Sequence, residues 1–178
     1  MQYTKRSPKV ELNIDIIRHI VLNSIRSYVR KFSNKYGKNL VICCDNRKYW
    51  RKDVFPFYKA SRKKIRDASG FDWKTIFDSI QVLKEEFNQI LPYKIVDSEG
   101  AEADDVIAAL TEKYSSNENI LILSSDKDFV QLQKFSGVQQ YSPIMERFIG
   151  TDNPAKYVLE HIICGDRGDG IPNILHLI

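Results

Sequence analysis

Three short apolar runs, each followed at once by acidic residues, constrain this chain more than any other feature. Leu40 to Cys44 ends in Asp45. Tyr93 to Val96 is followed by Asp97, Glu99, Glu102, Asp104 and Asp105, and Ile120 to Leu123 by Ser124, Ser125, Asp126, Lys127 and Asp128. Runs of this length bounded by turn residues read as strands, the first as one covered on both faces. Between them the apolar positions keep a helical period. Ile14, Ile17, Val21, Ile25, Tyr28, Val29 and Phe32 make one stripe, predicting an amphipathic helix over residues 10–32. Ile76, Phe77, Ile80, Leu83 and Phe87 make another, in a helix capped by Asp72 and running to about Gln89. Glu102 to Tyr114 reads as a helix that packs Val106, Ile107 and Leu110. Strands alternating with helices predict an α/β fold with a mainly parallel β-sheet flanked by helices.

Beyond the third strand, Phe129 to Leu132 reads as the start of another helix, and Val138 to Tyr141 with Arg147 to Ile149 as a short hairpin. Asn153 and Pro154 open a final helix to about Cys164, proline being tolerated in a first turn. No repeat or linker divides the chain, so residues 1–178 are expected to form a single domain. The longest apolar runs are five residues, against the ~20 that a membrane-spanning helix needs. The first fifteen residues hold no apolar stretch of the kind a signal peptide requires, so a cytoplasmic protein without a membrane partner is expected. Three cysteines, two of them adjacent at Cys43 and Cys44, make neither a disulfide framework nor a zinc spacing.

Charge is unevenly distributed. From Asp97 to Asp169 there are 14 acidic and 6 basic residues, and elsewhere 9 acidic and 21 basic. The basic excess is densest at residues 47–66, where Arg47, Lys48, Arg51, Lys52, Lys59, Arg62, Lys63, Lys64 and Arg66 face only Asp53 and are interleaved with Tyr49, Trp50, Phe55, Phe57 and Tyr58. Cations that neutralise phosphates, set among rings that can stack on bases, suit a nucleic-acid strand; a solvated basic helix face is the ordinary alternative.

In open parallel sheets the functional crevice lies beyond the carboxyl ends of the strands, which places at least five of these carboxylates on one edge. Two carboxylates ~4 Å apart repel by about 4 kcal/mol at an effective dielectric of 20, so such a cluster calls for protons or cations. All-oxygen ligands without nearby His or Cys favour magnesium or manganese, and this many acids suggest a pair of ions able to drive phosphodiester hydrolysis. Each acid also has a structural reading. Acids at residues 102–105 suit a helix start, Asp126 and Asp128 suit a capped turn, and Asp45 with Asn46 is a common turn signal. Their joint placement, not any one of them, points to chemistry. His19, His161 and His176 have no ligand spacing and read as surface or packing residues.

V-I-C-C-D-N (41–46), E-A-D-D (102–105), S-S-D-K-D (124–128) and G-D-R-G-D-G-I-P (165–172), in this order, resemble the 5′-nuclease family of flap endonucleases and 5′-3′ exonucleases, and within it the ribonuclease H branch of T-even bacteriophages. The resemblance implies the 5′-nuclease, PIN-like fold with a basic helical arch at about 47–71 and the start of a helix-two-turn-helix at about 163–178. It implies metal binding by Asp45, Glu102, Asp104, Asp126 and Asp128, with Asp105 as an outer member, Asp169 beside a second metal and Asp166 in support. Lys59 and Arg62 are implied to contact the scissile phosphate, and Arg47, Lys48, Arg51, Lys52, Tyr58, Lys63, Lys64 and Arg66 to hold nucleic acid. Packing of the arch is the other reading of Tyr58, Phe55 and Phe57. The implied cofactors are two Mg2+ or Mn2+, with K+ at the helix-two-turn-helix. The implied activity is metal-dependent 5′-3′ exonuclease or flap endonuclease action with ribonuclease H activity on DNA and RNA-DNA hybrids bearing 5′ ends or flaps. Its setting would be primer removal in phage DNA replication in the host cytoplasm, beside a single-stranded-DNA-binding protein and a replication polymerase.

Members of that family open with a central strand that supplies a further metal-binding aspartate. Here the first ten residues are polar and include Pro8, and the acids ahead of Asp45 are Glu11 and Asp15, the latter within the helical stripe. The N-terminal strand and the C-terminal helices are therefore expected to be missing, and Gly170 stands where the signature often has Asn. Two alternatives follow. One is a catalytically impaired nucleic-acid-binding remnant, the other a PIN-type ribonuclease, against which the long basic segment counts. A nucleotide-binding protein is disfavoured by the absence of G-x-G-x-x-G and G-x-x-x-x-G-K-[ST].

Overall fold

Capping side chains set the helix starts in the computed structural model, which describes residues 13–177. Asn13, Asp72 and Asn153 each accept a backbone N–H three residues on, from Ile16 at 3.0 Å, Thr75 at 3.1 Å and Lys156 at 2.9 Å. In chain order the elements are α1 (Ile14–Tyr36), β1 (Val41–Cys44), α2 (Arg51–Val54), α3 (Ala60–Ala68), α4 (Trp73–Ile90), β2 (Lys94–Asp97), α5 (Ala103–Tyr114) and β3 (Ile120–Leu123). A 3-10 helix (Lys127–Lys134), β4 (Val138–Ser142), β5 (Arg147–Ile149), α6 (Pro154–Cys164) and a 3-10 turn (Ile174–Leu177) complete the order. The expectations about residues 1–12, including the missing strand, and about the His176 side chain fall outside what is described.

β1 pairs with β2 in parallel, from Val41 opposite Lys94 to Cys44 opposite Asp97. β3 pairs with β4 in parallel from Ile120 opposite Val138, and β4 with β5 antiparallel, giving the expected hairpin. Among the described residues these are two separate ladders rather than one sheet. α5 packs against β1, β2 and β3 and so lies across both. One expectation is corrected: β1 is not fully covered on both faces, since Val41 is exposed and the other three residues are half-buried. The α-helix expected at Phe129 is an eight-residue 3-10 helix, which buries Phe129, Val130 and Leu132.

Ile122, Phe129, Leu132 and Val138 form the buried core, with Ile107, Ala108, Ile120 and Phe135 packed on it. It lies directly beneath the turn that carries Asp126 and Asp128. α1 is held separately. Phe32 meets Tyr141 edge-on at 4.9 Å and Phe148 at 6.0 Å, while Arg18 binds both oxygens of Glu86 on α4 at 3.0 and 2.9 Å. No helix among the described residues is long and apolar enough to cross a membrane.

Candidate metal centre

The acids named from the sequence gather where the strand ends meet the first turn of α5. Asp45, one residue past β1, accepts the Ala103 N–H on Oδ1 at 2.8 Å and ties the strand end to that turn. Glu102 caps α5, and its own N–H donates to Asp105 Oδ2 at 3.0 Å. Asp126, just past β3, accepts the Asp128 N–H on Oδ1 at 3.0 Å and opens the 3-10 helix.

Electrostatics show the grouping. The Asp104 carboxyl is pushed up to about 6 by burial and then by the negative charges of Asp126, Asp45 and Glu102, with Lys59 opposing. The Asp128 carboxyl is raised by burial and then by Asp126, Asp166 and Asp169, with His161 opposing. Asp126 thus belongs to two carboxylate groups, one with Asp104 and Asp45, the other with Asp128, Asp166 and Asp169. Asp97, although it ends β2, stands apart, paired with Lys84 and accepting from Asn46 at 2.7 Å.

Asp166 and Asp169 come from a loop closed by backbone bonds after α6. The Asp166 N–H donates to Ile171 O at 2.8 Å and the Ile171 N–H returns to Asp166 O at 2.7 Å. Gly165 opens the loop at φ 68°, where a Cβ would stand 2.5 Å from the Pro172 carbonyl, so only glycine fits. Asp166 Oδ1 accepts the N–H groups of Gly168 and Asp169 at 2.6 and 3.1 Å.

Two residues that sequence reasoning missed support this arrangement. Gln140 is fully buried on β4, and its Nε2 donates to the carbonyls of Ser124, at 2.9 Å, and Asp126. It thereby clamps the acidic turn onto β4, with the Ser125 and Ser142 hydroxyls bonded alongside at 2.7 Å. His161, expected at the surface or in packing, is partly exposed and stacks on Tyr157, and it also brings Nε2 to 3.4 Å from Asp128 Oδ1 and 3.8 Å from Asp166 Oδ2. A lone imidazole with no second His or Cys at ligand spacing gave no sign of this in the sequence. Gln140 gave no signal beyond a polar residue inside a strand.

The basic segment folds against the acids. Glu102, only 2% exposed, accepts from Lys59 Nζ at 2.7 Å and Tyr58 Oη at 3.1 Å and lies 3.1 Å from Arg51 Nη1. Arg51 binds both oxygens of Asp105 at 2.7 and 2.8 Å and holds that carboxyl below the usual carboxylate range. Both oxygens of Asp105 are therefore turned to Arg51. Arg62 donates to Asp169 Oδ1 at 2.6 Å, and the Lys59 N–H to Asp169 O at 3.0 Å. Tyr58 is buried, with its ring 6.0 Å from that of Tyr49, so it packs the arch and offers no face to a base. Arg47, Lys48, Lys52, Lys63 and Lys64 remain exposed, while Arg66 is half-buried 5.8 Å from the Phe77 ring. Carboxylates crowded around Asp104 and Asp128 are the donor set a hard divalent cation fits, with Asp45, Asp104 and Asp126 on one side and Asp126, Asp128, Asp166 and Asp169 on the other.

The family model described as "5'-3' exonuclease, N-terminal resolvase-like domain" matches residues 9–158. The ribonuclease H of Enterobacteria phage T4 is 36% identical over 171 residues, covering 93% of this chain and 56% of the phage protein. A 5'-3' exonuclease of Mycoplasmopsis pulmonis is 27% identical over 158 residues, covering 84% of this chain and 50% of its own. The chain thus spans about half the length of these relatives. In fold it is similar to the bacteriophage T5 flap endonuclease solved as a pseudo-enzyme-product complex with DNA and metal ions, with TM-score 0.73, 19% identity, and 88% of this chain and 61% of that one covered. T5 5'-exonuclease solved with bound zinc ions aligns with TM-score 0.69 at 19% identity over 88% of this chain and 61% of that one.

Proposed function

The chain belongs to the 5'-3' exonuclease family through its N-terminal resolvase-like domain, and from that premise we propose that it is a metal-dependent phosphodiesterase acting near the 5′ ends of RNA-DNA or DNA duplexes. One observation carries this reading: Asp126 lies within electrostatic reach of both Asp104 and Asp128 and so is shared by two groups of carboxylates. Asp45, Asp104 and Asp126 would hold one divalent ion, and Asp126, Asp128, Asp166 and Asp169 a second; Mg2+ or Mn2+ suits so many oxygens. Bound there, such ions would supply the activation of a water and stabilisation of the leaving oxygen of a phosphodiester. Glu102 and Asp105 anchor the basic segment through Lys59 and Arg51 rather than spending their oxygens on metal.

Lys59 and Arg62 are the residues placed to meet substrate. Arg62 pairs with Asp169 and Lys59 with the buried Glu102, so an incoming phosphate competes with those carboxylates for them. Residues 47–71 act as the arch over a single-stranded 5′ end, with Arg47, Lys48, Lys52, Lys63 and Lys64 holding its backbone. Residues 163–178 open a helix-two-turn-helix that grips duplex backbone around a potassium ion. The role this suits is primer and flap removal in phage replication in the host cytoplasm, with a single-stranded-DNA-binding protein and a polymerase as neighbours.

The test is cleavage of a 5′-labelled flap and a 5′-labelled RNA-DNA hybrid, with magnesium and with chelator. Magnesium-dependent products are expected from the wild-type chain, with a loss of at least about a thousandfold in Asp126→Asn plus Asp128→Asn while binding persists. Equal cleavage by that variant rejects the assigned site. A second reading rests on the ion pairs that the arch cations already make with Glu102, Asp105 and Asp169. It is a nucleic-acid-binding protein with impaired chemistry, and salt-sensitive binding of the flap without turnover by the wild-type chain selects it.

A further inference from the structure

Asp128, His161 and Asp166 each turn one ligand atom into a group no wider than 4.8 Å. Two of them lie among the acids of the metal centre, and the inference rests on that reading. The third comes from α6. Ligand atoms about 2.1 Å from a tetrahedral ion lie about 3.4 Å from one another, and His161 Nε2 is 3.4 Å from Asp128 Oδ1 and 3.8 Å from Asp166 Oδ2. These distances are those of an ion pair while the ring is protonated and of groups that share an ion when it is neutral.

Each group is also held in place. Asp128 sits in the first turn of the 3-10 helix above the buried Phe129. His161 stacks on Tyr157 one helical turn earlier, with centroids 5.7 Å apart and planes within 11°. Asp166 has its Oδ1 occupied by two backbone N–H groups, which leaves Oδ2, the oxygen that faces His161. A ring fixed by stacking and a carboxylate with one bound and one free oxygen need little rearrangement to take up a cation.

We propose that His161 is a direct metal ligand, making the outer of the two cation sites a mixed imidazole-carboxylate site that takes first-row transition ions such as Mn2+, Co2+ or Zn2+ in preference to Mg2+. An all-oxygen site suits magnesium, which dehydrates reluctantly; an imidazole nitrogen adds affinity for cobalt and zinc and little for magnesium. The two cation sites then differ in kind: the inner one, at Asp45 and Asp104, offers only oxygen.

Calorimetric titration of the 178-residue chain with Co2+, and separately with Mg2+, tests this in wild type, His161→Ala, His161→Gln and Asp104→Asn, with metal-free melting curves to show that each variant folds. Proton NMR of the Co2+-loaded chain reads the ligand directly, since a coordinated imidazole gives a strongly shifted exchangeable N–H signal. The expected result is that both His161 variants lose that signal and at least about tenfold in Co2+ affinity at one site, with Mg2+ affinity within twofold of wild type. Unchanged Co2+ affinity, or an equal loss for both ions, overturns the proposal, the latter because His161 would then act only by arranging the carboxylates. Asp104→Asn separates the two claims. If the metal centre itself is misassigned, this variant leaves all cation binding intact; if only His161 is misassigned, it weakens binding and the His161 variants do not.

Discussion

At the scale of single residues, two carboxylates of the site, Asp104 and Asp128, oppose folding when ionised. The Asp104 carboxyl, at about 6 when folded, lies above the ~3.9 of an unfolded aspartate, so the native state holds its proton more tightly. Without metal the resulting penalty is absent below about pH 4, grows as pH rises through the interval from about 4 to 6, and is complete above it. Asp104→Asn is therefore expected to raise the unfolding free energy in chelator by on the order of 1 kcal/mol at pH 7.5, the half-exposed position being screened by solvent, and by almost nothing at pH 4. Denaturant titrations at the two pH values measure this, and a variant less stable at pH 7.5 contradicts the assignment. Asp105 is the opposite case. Arg51 holds its carboxyl low, so its contribution to stability is present at neutral pH and is lost as pH falls below the unfolded value.

Individual elements explain what could and could not be read from the sequence. Two helix starts were legible because caps are local: Asp72 and Asn153 sit where the pattern places them and bond within three residues, whereas α1, read as 10–32, has its cap at Asn13 and runs on to Tyr36. The strands were legible to within a residue for the same reason, as β3 and the β4-β5 hairpin show. What was not legible depends on partners distant in sequence. The partial exposure of β1 depends on what packs on its faces, the burial of Tyr58 on Glu102, and the place of His161 on Asp128 in the 3-10 helix after β3. Gln140 is the sharpest instance, since its value lies in two carbonyls on another segment. Its Oε1 is buried without a partner among the described residues, a cost tolerated because Nε2 fixes the acidic turn. Gln140→Met, similar in size but without the donor, is expected to lose about 2 kcal/mol of stability and to weaken divalent-ion binding at least about tenfold. Melting curves and calorimetry measure the two effects, and loss of stability with ion affinity intact shows that the clamp does not position Asp126.

Across the whole molecule, opposite charges are both separated along the chain and folded together in space. The basic segment between β1 and α4 spends Arg51, Lys59 and Arg62 on the acids and leaves Lys63 and Lys64 exposed on α3. If those two neutralise phosphates of a single strand, Lys63→Ala plus Lys64→Ala reduces the slope of log affinity against log salt by about 1.4, at roughly 0.7 per phosphate. Fluorescence anisotropy across a salt series reads that slope, and an unchanged slope places the strand elsewhere. The inward-turned cations have a different consequence. A protein whose carboxylates carry tethered counter-ions of their own is an ion exchanger already loaded with internal cations, and any cation taken up beside Glu102 or Asp169 competes with Lys59 or Arg62 for those oxygens. Dissolved salt screens a divalent ion from these oxygens at least as strongly as it loosens their tethered partners, and the buried Lys59–Glu102 pair outlasts salt concentrations that weaken the grip on a polyanion.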